Sequence, residues 1–473
     1  MRRREFLTTA VAGVSALALS AKSYSQIAGA NNRVRLALIG CGGRGHGVAQ
    51  LMAQVAGAEY VAYCDLYDVN AGRAKESTWG RNSGDIYKDF RYVLDRNDIH
   101  AVHVATPDHW HAIPAYMASL AGKDSYVEKP LTHNIREGRA LVDAANANNT
   151  IVQTGTQHRS APHYAEAAEM IQSGAIGKVH FVRVWNFNNR TRPRFSFRSG
   201  GRGGELVKKP EGLDWDFYCG PAPLVPYDRA RFLGSFRGFY EYAGGYVADF
   251  GTHRFDSMRQ LMGEPDPISI SASGGRFLEG VGNTPDIVQA TVQFPTFTMS
   301  YEAVQTSGHG VGGRTPGAKY YRMNGDHDRP HGVAIYGTKA VIIADRIGFD
   351  VYPETNTAAP RARDRAAERK AYRTAGITRD VAGAPKRRFV QSSDRTDLHT
   401  ANFVECVRSR KAPNAAVEIG HRSTIIPHLI NIAYRTDSKL HWDPKAETIS
   451  NSKVAQTLVT RIARAPWKIV PGT

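Results

Sequence analysis

A chain of 473 residues, 42% hydrophobic and 22% charged, has room for two or three domains with sizeable cores. Its ordinary globular composition excludes a disordered, collagen-like or many-span membrane protein. The formal net charge of +17 is uneven, because ten basic residues face three acidic ones between Arg361 and Arg388, a local +7. That run reads as a solvated surface insertion: no zinc-finger, RNA-recognition or basic-zipper signature accompanies it, and no nucleic-acid partner is expected. Four scattered cysteines, Cys41, Cys64, Cys219 and Cys406, are too few for a disulfide framework or a zinc cluster, and no metal is expected.

The first element is a leader. Arg3-Arg4-Glu5-Phe6-Leu7 resembles the twin-arginine export motif. It precedes 14 small, apolar residues from Thr8 to Ala21, fewer than the ~20 a spanning helix needs. Ala28-Gly29-Ala30 offers a cleavage triplet. Residues 1–30 are expected to be removed, leaving a periplasmic or secreted protein with no stable membrane span; retention as an uncleaved anchor is the alternative.

Next comes a strand-like run, Val34 to Ile39, followed by Gly40-Cys41-Gly42-Gly43-Arg44-Gly45 and an apolar-periodic segment from Val48 to Ala56. This is G-x-G-x-x-G after a strand. Gly40 permits the tight turn, Gly42 lets the backbone approach a pyrophosphate, Gly45 lets helix pack on strand, and Arg44 lies within the loop. A second strand, Glu59 to Cys64, ends in Asp65, 20 residues beyond Gly45. A carboxylate there accepts from both ribose hydroxyls and repels a 2′-phosphate, which favours NAD over NADP.

The strand Ala101 to Ala105 runs into Thr106-Pro107-Asp108-His109-Trp110-His111, a helix spans Ile113 to Ala121, and Ser125 to Val127 leads into Glu128-Lys129-Pro130. A helix over Ile135 to Ala147 and the strand Ile151 to Thr154 complete the alternation. Strands alternating with helices predict a doubly wound parallel sheet. Ligands of such sheets lie beyond the strand C-termini, so Thr106, His109, His111, Glu128, Lys129 and Gln157 are candidates for the cofactor crevice.

The glycine loop, Asp65, Thr106-Pro107, Glu128-Lys129-Pro130 and Asp249-x-x-x-His253 together resemble the Gfo/Idh/MocA oxidoreductases, which include glucose–fructose oxidoreductase and inositol dehydrogenase. The resemblance covers residues 33 to 445. It implies an N-terminal Rossmann domain and a C-terminal α/β domain with an open, mostly antiparallel sheet. It also implies action on a sugar, glycoside or polyol with a nicotinamide cofactor, and a homo-oligomer. Gly212-Leu213-Asp214-Trp215-Asp216 and Phe236-Arg237-Gly238-Phe239-Tyr240 are similar to a secreted bacterial branch. The expected division is a signal (1–30), an NAD-binding domain (31–155), a substrate domain (156–445) with insertions near 190–240, 308–330 and 355–393, and a tail (446–473).

In the second half, Lys178 to Trp185 alternates as a half-exposed strand does, Ile287–Phe294 and Phe297–Val304 read as a hairpin, and His331–Tyr336 and Ala340–Ala344 add strands. Trp185 and Asn186 to Asn189 combine aromatic surface with amides, a mixture suited to stacking on a sugar ring; ordinary sheet packing is the plainer reading. His399–Arg410 and Ser423–Thr436 read as packing helices. His158 and Arg159 follow a strand at the expected domain junction, and the family's pattern there, matched only approximately, implies substrate contact.

Alcohol oxidation needs a base for the hydroxyl proton and a group that polarises the developing carbonyl. Asp249 and His253, spaced i and i+4, share one helix face. The carboxylate fixes the imidazole tautomer or binds a substrate hydroxyl. Lys129 reaches the same oxygen with a lowered pKa or as a cationic polariser. The resemblance makes His253 the base, Lys129 its partner and Asp249 a substrate-binding acid. Related glycosidases oxidise transiently, eliminate and re-reduce on held NAD; their pattern lacks the lysine kept here as Lys129. Export, where no NAD pool exists, argues for a resident cofactor in either case. A non-catalytic sugar sensor is the third class.

Overall fold

The computed structural model describes residues 33–188, 208–308, 329–357 and 378–469. The expected signal, residues 189–207 and 309–328 of the expected insertions, and residues 361–377 of the basic run lie outside the described residues.

Six parallel strands form the first sheet: β1 (Val34–Ile39), β2 (Ala58–Cys64), β3 (Asp85–Tyr87), β4 (Ala101–Val104), β5 (Asp124–Val127) and β6 (Val152–Thr154). Their order is β3-β2-β1-β4-β5-β6. Helices α1 (Gly43–Met52), α2 (Asp68–Lys75), α3 (Phe90–Leu94), α4 (Ala112–Leu120) and α5 (Ile135–Ala147) connect them. Strands covered on both faces must be apolar throughout, and β4 is buried at every position. Helix α5 starts where Asn134 caps the Glu137 N–H at 3.0 Å, and it buries Ile135, Leu141, Val142 and Ala145. Helix α1 begins at Gly43 rather than Val48, because the glycines of the loop already run along the helix. The strand order reverses between β1 and β4, which opens a crevice beyond their carboxyl ends.

The chain then forms α6 (Pro162–Gln172), β7 (Val179–Phe187), α7 (Trp215–Cys219) and α8 (Gly245–Met262). Strands β8 (Ser269–Gly275), β9 (Ile287–Gln293), β10 (Thr298–Val304), β11 (His331–Gly337), β12 (Ala340–Asp345) and β13 (Gly348–Pro353) follow. Beyond a short pair, β14 (Thr355–Thr357) with β15 (Thr378–Asp380), come β16 (Arg388–Gln391), α9 (Thr396–Ser409), α10 (Val417–Thr436), β17 (Leu440–Asp443) and β18 (Thr448–Ile449). Ten of these strands make one sheet, ordered β16-β13-β12-β11-β7-β10-β9-β8-β17-β18. It is antiparallel except where β7 runs parallel to β10. The expected α/β architecture is the observed one.

Alternation decides which face of this sheet is covered. Val182, Val184, Met299 and Tyr301 point at Phe255, Met258 and Leu261 of α8 and at Leu429 and Ile430 of α10, forming the larger core. The opposite face is not simply solvated: Trp185, Ala334 and Ile343 make a small apolar cluster there. Helix α8 is buried along most of its length and stops at Gly263, whose φ of 76° suits a left-handed C-terminal cap. Among the described residues, no helix is long and apolar enough to cross a membrane.

Several histidines are buried and held neutral. Burial lowers His103 and His109 to about 3 and His399 and His428 to about 4. A depressed folded pKa means the unfolded chain takes up protons first, so this stability is complete above about pH 6.5 and lost as pH falls toward the folded value. For His428, which meets the Thr132 carbonyl at 3.0 Å, the loss by pH 5 is about 2 kcal/mol. A His428→Gln protein should therefore lose about 2 kcal/mol less stability than wild type between pH 7 and pH 5 in urea titrations. Parallel losses in the two proteins would contradict this.

Candidate functional site

A cleft of about 1120 Å³ follows the carboxyl edge of the parallel sheet, from Asp65 and Tyr67 past Gly42 and Thr106 to Lys129, Asp249 and His253. At one end the β1–α1 turn makes a cradle. Gly40 has φ of 91°, and a Cβ there would strike the Ala105 carbonyl at 2.6 Å. A Cβ on Gly45 would collide with the Gly40 carbonyl. At Gly42 and Gly43 a Cβ would meet nothing within 4 Å and would simply fill the cleft they line. No side chain caps α1, so its first-turn N–H groups are left for an anion.

Asp65 stands beside this turn. Its carboxylate accepts from Cys41 N at 2.7 Å and Tyr67 N at 2.9 Å. Burial raises its pKa while those N–H groups pull it back. The arrangement fits a dinucleotide: an open backbone cradle for the diphosphate and a fixed carboxylate for a ribose diol. Arg44 and Glu128 close the other wall through a 2.7 Å ion pair. Gln157 lines the cleft and donates to Asp394 at 3.2 Å.

Deeper in, Lys129 follows β5, and its Nζ donates to Asp249 Oδ1 at 2.6 Å and to the Asp249 carbonyl at 2.8 Å. Two of its three N–H bonds are thus spent on aim. Arg237 Nε reaches the same Oδ1 at 3.0 Å. The carboxylate therefore engages two cations rather than the imidazole one turn later. His253 lines the cleft almost buried, with Nδ1 unpartnered. Burial first, then the positive charge of Lys129, lowers its pKa well below the usual imidazole value. A neutral imidazole and an oriented ammonium face one cavity, able to accept a proton and to polarise an oxygen.

Other expected residues stand elsewhere. Thr106 lines the cleft; His111 does too, but its ring nitrogens lie 2.6 Å from the Pro130 carbonyl and 2.9 Å from that of Thr106. His109 is turned away, its Nε2 on the Tyr218 carbonyl at 2.9 Å, so it braces the turn instead of meeting a cofactor. Trp185 is corrected outright: wholly buried on the far sheet face, it donates to the Arg329 carbonyl at 2.8 Å. Asn186 is also buried and donates to Tyr301 Oη at 3.3 Å. Sequence alternation marked this strand but not which of its faces was covered. His158 is buried behind His253, with Nδ1 3.0 Å from Ser257 Oγ, and does not line the cleft.

Arg159 is structural rather than substrate-facing. It pairs with Asp256 and Glu264, each at 2.7 Å, and Ser423 also donates to Asp256 at 2.9 Å. Removing one partner of such a buried pair costs about 3–5 kcal/mol. Arg159→Met should show that loss in denaturant unfolding, and Arg159→Met with Asp256→Leu should recover much of it. A single variant as stable as wild type would refute the assignment.

Reading the residues alone missed Arg237, Arg346 and Asp394, all of which line the cleft. Arg237 belongs to a segment singled out above only for its likeness to a secreted branch. That segment is a wall: Leu213, Trp215, Tyr218, Phe232, Phe236 and Tyr242 form an apolar cluster that reaches Leu66 and Tyr67 beside Asp65. The Tyr67–Leu213 bridge and the edge-on Tyr67 and Phe232 rings, 5.7 Å apart, join wall and cradle. Its density of aromatic residues was the available signal.

An ordered βαβ sheet with this cradle defines a dinucleotide-binding oxidoreductase fold. The NAD-binding Rossmann-fold profile of the Gfo/Idh/MocA oxidoreductases matches residues 34–156. The family's C-terminal alpha/beta domain matches 165–278 and 377–469, and a further C-terminal domain profile matches 226–343. The chain belongs to the Gfo/Idh/MocA oxidoreductase family. It is 31% identical over 185 residues to a levoglucosan dehydrogenase of Pseudarthrobacter phenanthrenivorans, spanning 39% of this chain and 38% of that relative. It is 32% identical over 166 residues to a glycosyl hydrolase family 109 protein 2 of a Shewanella strain, spanning 30% of this chain and 36% of the relative. The chain thus aligns with well under half of either relative's length. A solved levoglucosan dehydrogenase, in complex with NADH and levoglucosan, shares the fold with a TM-score of 0.58 at 20% identity, covering 86% of this chain and 99% of that one.

Proposed function

We propose that the protein oxidises, or reversibly reduces, a hydroxyl of a sugar, glycoside or polyol with NAD held in the cleft. The observation that carries this reading is the Lys129–Asp249 contact of 2.6 Å beside a neutral His253, all at the deep end of the dinucleotide cradle. Bound NAD⁺ supplies the electron-pair acceptor. Gly42, Gly43 and the α1 N-terminus hold its diphosphate, and Asp65 its adenosine ribose. Lys129 spends its remaining N–H on the substrate oxygen, and the developing negative charge there strengthens that bond. His253 takes the hydroxyl proton. Asp249, itself held by Arg237, fixes the ammonium where the oxygen arrives.

The apolar wall over the cradle supports a cofactor that stays bound, and the leader supports twin-arginine export of the folded, loaded protein into the periplasm or beyond. Denaturing the purified protein and assaying the supernatant tests this, with about one NAD(H) per chain expected. Empty protein that neither binds added NAD nor acts on any sugar would refute the reading. The likeness to the family supports a homo-oligomer, which light scattering would report.

Asp65 sets the cofactor preference. NAD(H) should bind at least about tenfold more tightly than NADP(H), about 1.4 kcal/mol, and Asp65→Ala should narrow the gap. Equal affinities in a fluorescence titration would contradict this. A second reading, NAD-dependent glycoside hydrolysis without net redox change, is favoured by the match to the Shewanella glycosyl hydrolase. Lys129 favours oxidation. Cleavage of an aryl glycoside without accumulation of NADH would select the hydrolase.

A further inference from the structure

Residues 458–469, within the expected tail, form neither helix nor strand and run over the surface, where Ile462 is 90% exposed. Three side chains spaced three residues apart nevertheless fasten this segment inward. Arg461 donates to Glu137 Oε1 in the first turn of α5 and to the His109 carbonyl, each at 2.7 Å. Arg464 donates from Nε to the Gly220 carbonyl at 2.8 Å, and from its two Nη atoms to the Asp216 carboxylate at 2.9 Å and the Asp216 carbonyl at 2.7 Å. Trp467 stacks on Phe217 with ring centres 4.9 Å and planes 17° apart, and it meets Trp110 edge-on at 4.8 Å. The Arg91 guanidinium lies 5.2 Å above the same indole. One strap thus joins α7 of the aromatic wall to the loop after β4 and to the start of α5.

The rings it holds face the cleft. Phe90, Trp110 and Phe217 all line it, with centres 5.4 to 6.4 Å from one another. They stand at the Asp65 end: Phe90 follows three residues after Tyr87, whose carbonyl accepts from Asp65 N at 3.1 Å. A purine offers a π-face to such rings, and base–aromatic stacking is favourable for any base. The wall reaches this place through the same joint, since Trp110 Nε1 donates to the Tyr218 carbonyl at 3.0 Å. The strap itself adds little to either core, because its exposed residues alternate with the three that point inward. It can lift without unfolding the sheets beneath it.

We propose that Arg464 and Trp467 are positioning residues for the cofactor: the strap holds Phe217 and Trp110 against the adenine of NAD, and the dinucleotide leaves only when strap and wall lift together. Neither residue touches the cofactor; each acts through a ring that lines the cleft. The inference rests on the reading of the cleft as an NAD site. It goes beyond that reading in naming the purine half as the part retained and residues 461–467 as what retains it.

The test loads the full chain with NADH, chases it with excess NAD⁺ and follows the loss of bound NADH fluorescence. Trp467→Ala should speed release about tenfold, and Trp467→Phe, which restores the stack on Phe217, should recover most of the wild-type rate. Arg464→Met keeps the stack and loses only the bonds to Asp216 and Gly220. It should also speed release, and it decides the matter if Trp467→Ala does not fold. ADP-ribose, which carries the adenosine half alone, should lose affinity for the variants by a similar factor. Arg139→Met, which breaks ion pairs to Glu418 and Glu447 outside the cleft, controls for general loosening and should release NADH at the wild-type rate. Wild-type release rates in the strap variants would overturn the inference and leave the NAD reading intact. So would unchanged ADP-ribose affinity, or equal acceleration in Arg139→Met. A wild-type chain that takes up no NADH would overturn both the inference and the reading beneath it.

Discussion

His253→Ala is expected to lower kcat by about 10²- to 10⁴-fold, the usual worth of a positioned proton acceptor, while NAD occupancy stays near wild type. The two effects separate because the dinucleotide cradle is built from the Gly40–Gly45 backbone and Asp65, at the other end of the cleft. The sign of the pH dependence follows from the imidazole's surroundings. Burial and Lys129 lower its pKa well below the usual value, so the proton-accepting neutral form persists on the acid side. The fall in kcat/KM should set in well below pH 6.5, not around it. Full activity in a fully loaded His253→Ala protein would refute the assignment.

Lys129→Ala is expected to lower kcat to a comparable degree. In the proposed chemistry the ammonium hydrogen-bonds the oxygen on which charge develops, and its loss also removes one of the cations that hold Asp249. Groups that act as a unit are strongly non-additive. The double variant Lys129→Ala with His253→Ala should therefore lose far less than the product of the single losses. Multiplicative losses would mean that the two residues serve separate steps.

How much of this was legible in the sequence depends on how local each signal is. Helix α5, Ile135–Ala147, was readable to the residue because its cap and apolar face lie within the segment itself. The tight turn at Gly40, the close packing at Gly45, the open space at Gly42 and the place of Asp65 beside them were readable because these residues recur at fixed spacing in one βαβ unit. Lys129, Asp249 and His253 are expected from the sequence to serve one substrate oxygen, and all three line one cleft. Their actual contacts were not legible. The i, i+4 spacing of Asp249 and His253 suggested a pair, yet Asp249 turns to Lys129, 120 residues away in sequence. Trp185 and Asn186 failed for a related reason. Period-two alternation separates two faces, but only α8 and the neighbouring strands decide which one is covered. The aromatic density around Arg237 marked a packed segment but not the partner of the guanidinium, and nothing beside Arg346 marks one; Arg237 meets Asp249 of α8 only through the tertiary fold.

One measurement addresses the central claim most directly. NAD⁺-saturated protein is mixed with a panel of sugars, polyols and sugar acids, each also prepared with deuterium on its carbinol carbons, while nicotinamide absorbance is followed through a single turnover. The account predicts reduction of about one nicotinamide per chain with at least one substrate, slowed by deuterium at the oxidised carbon and slowed by about 10²-fold or more in His253→Ala. A fully loaded wild-type protein whose nicotinamide never changes with any of them would contradict it.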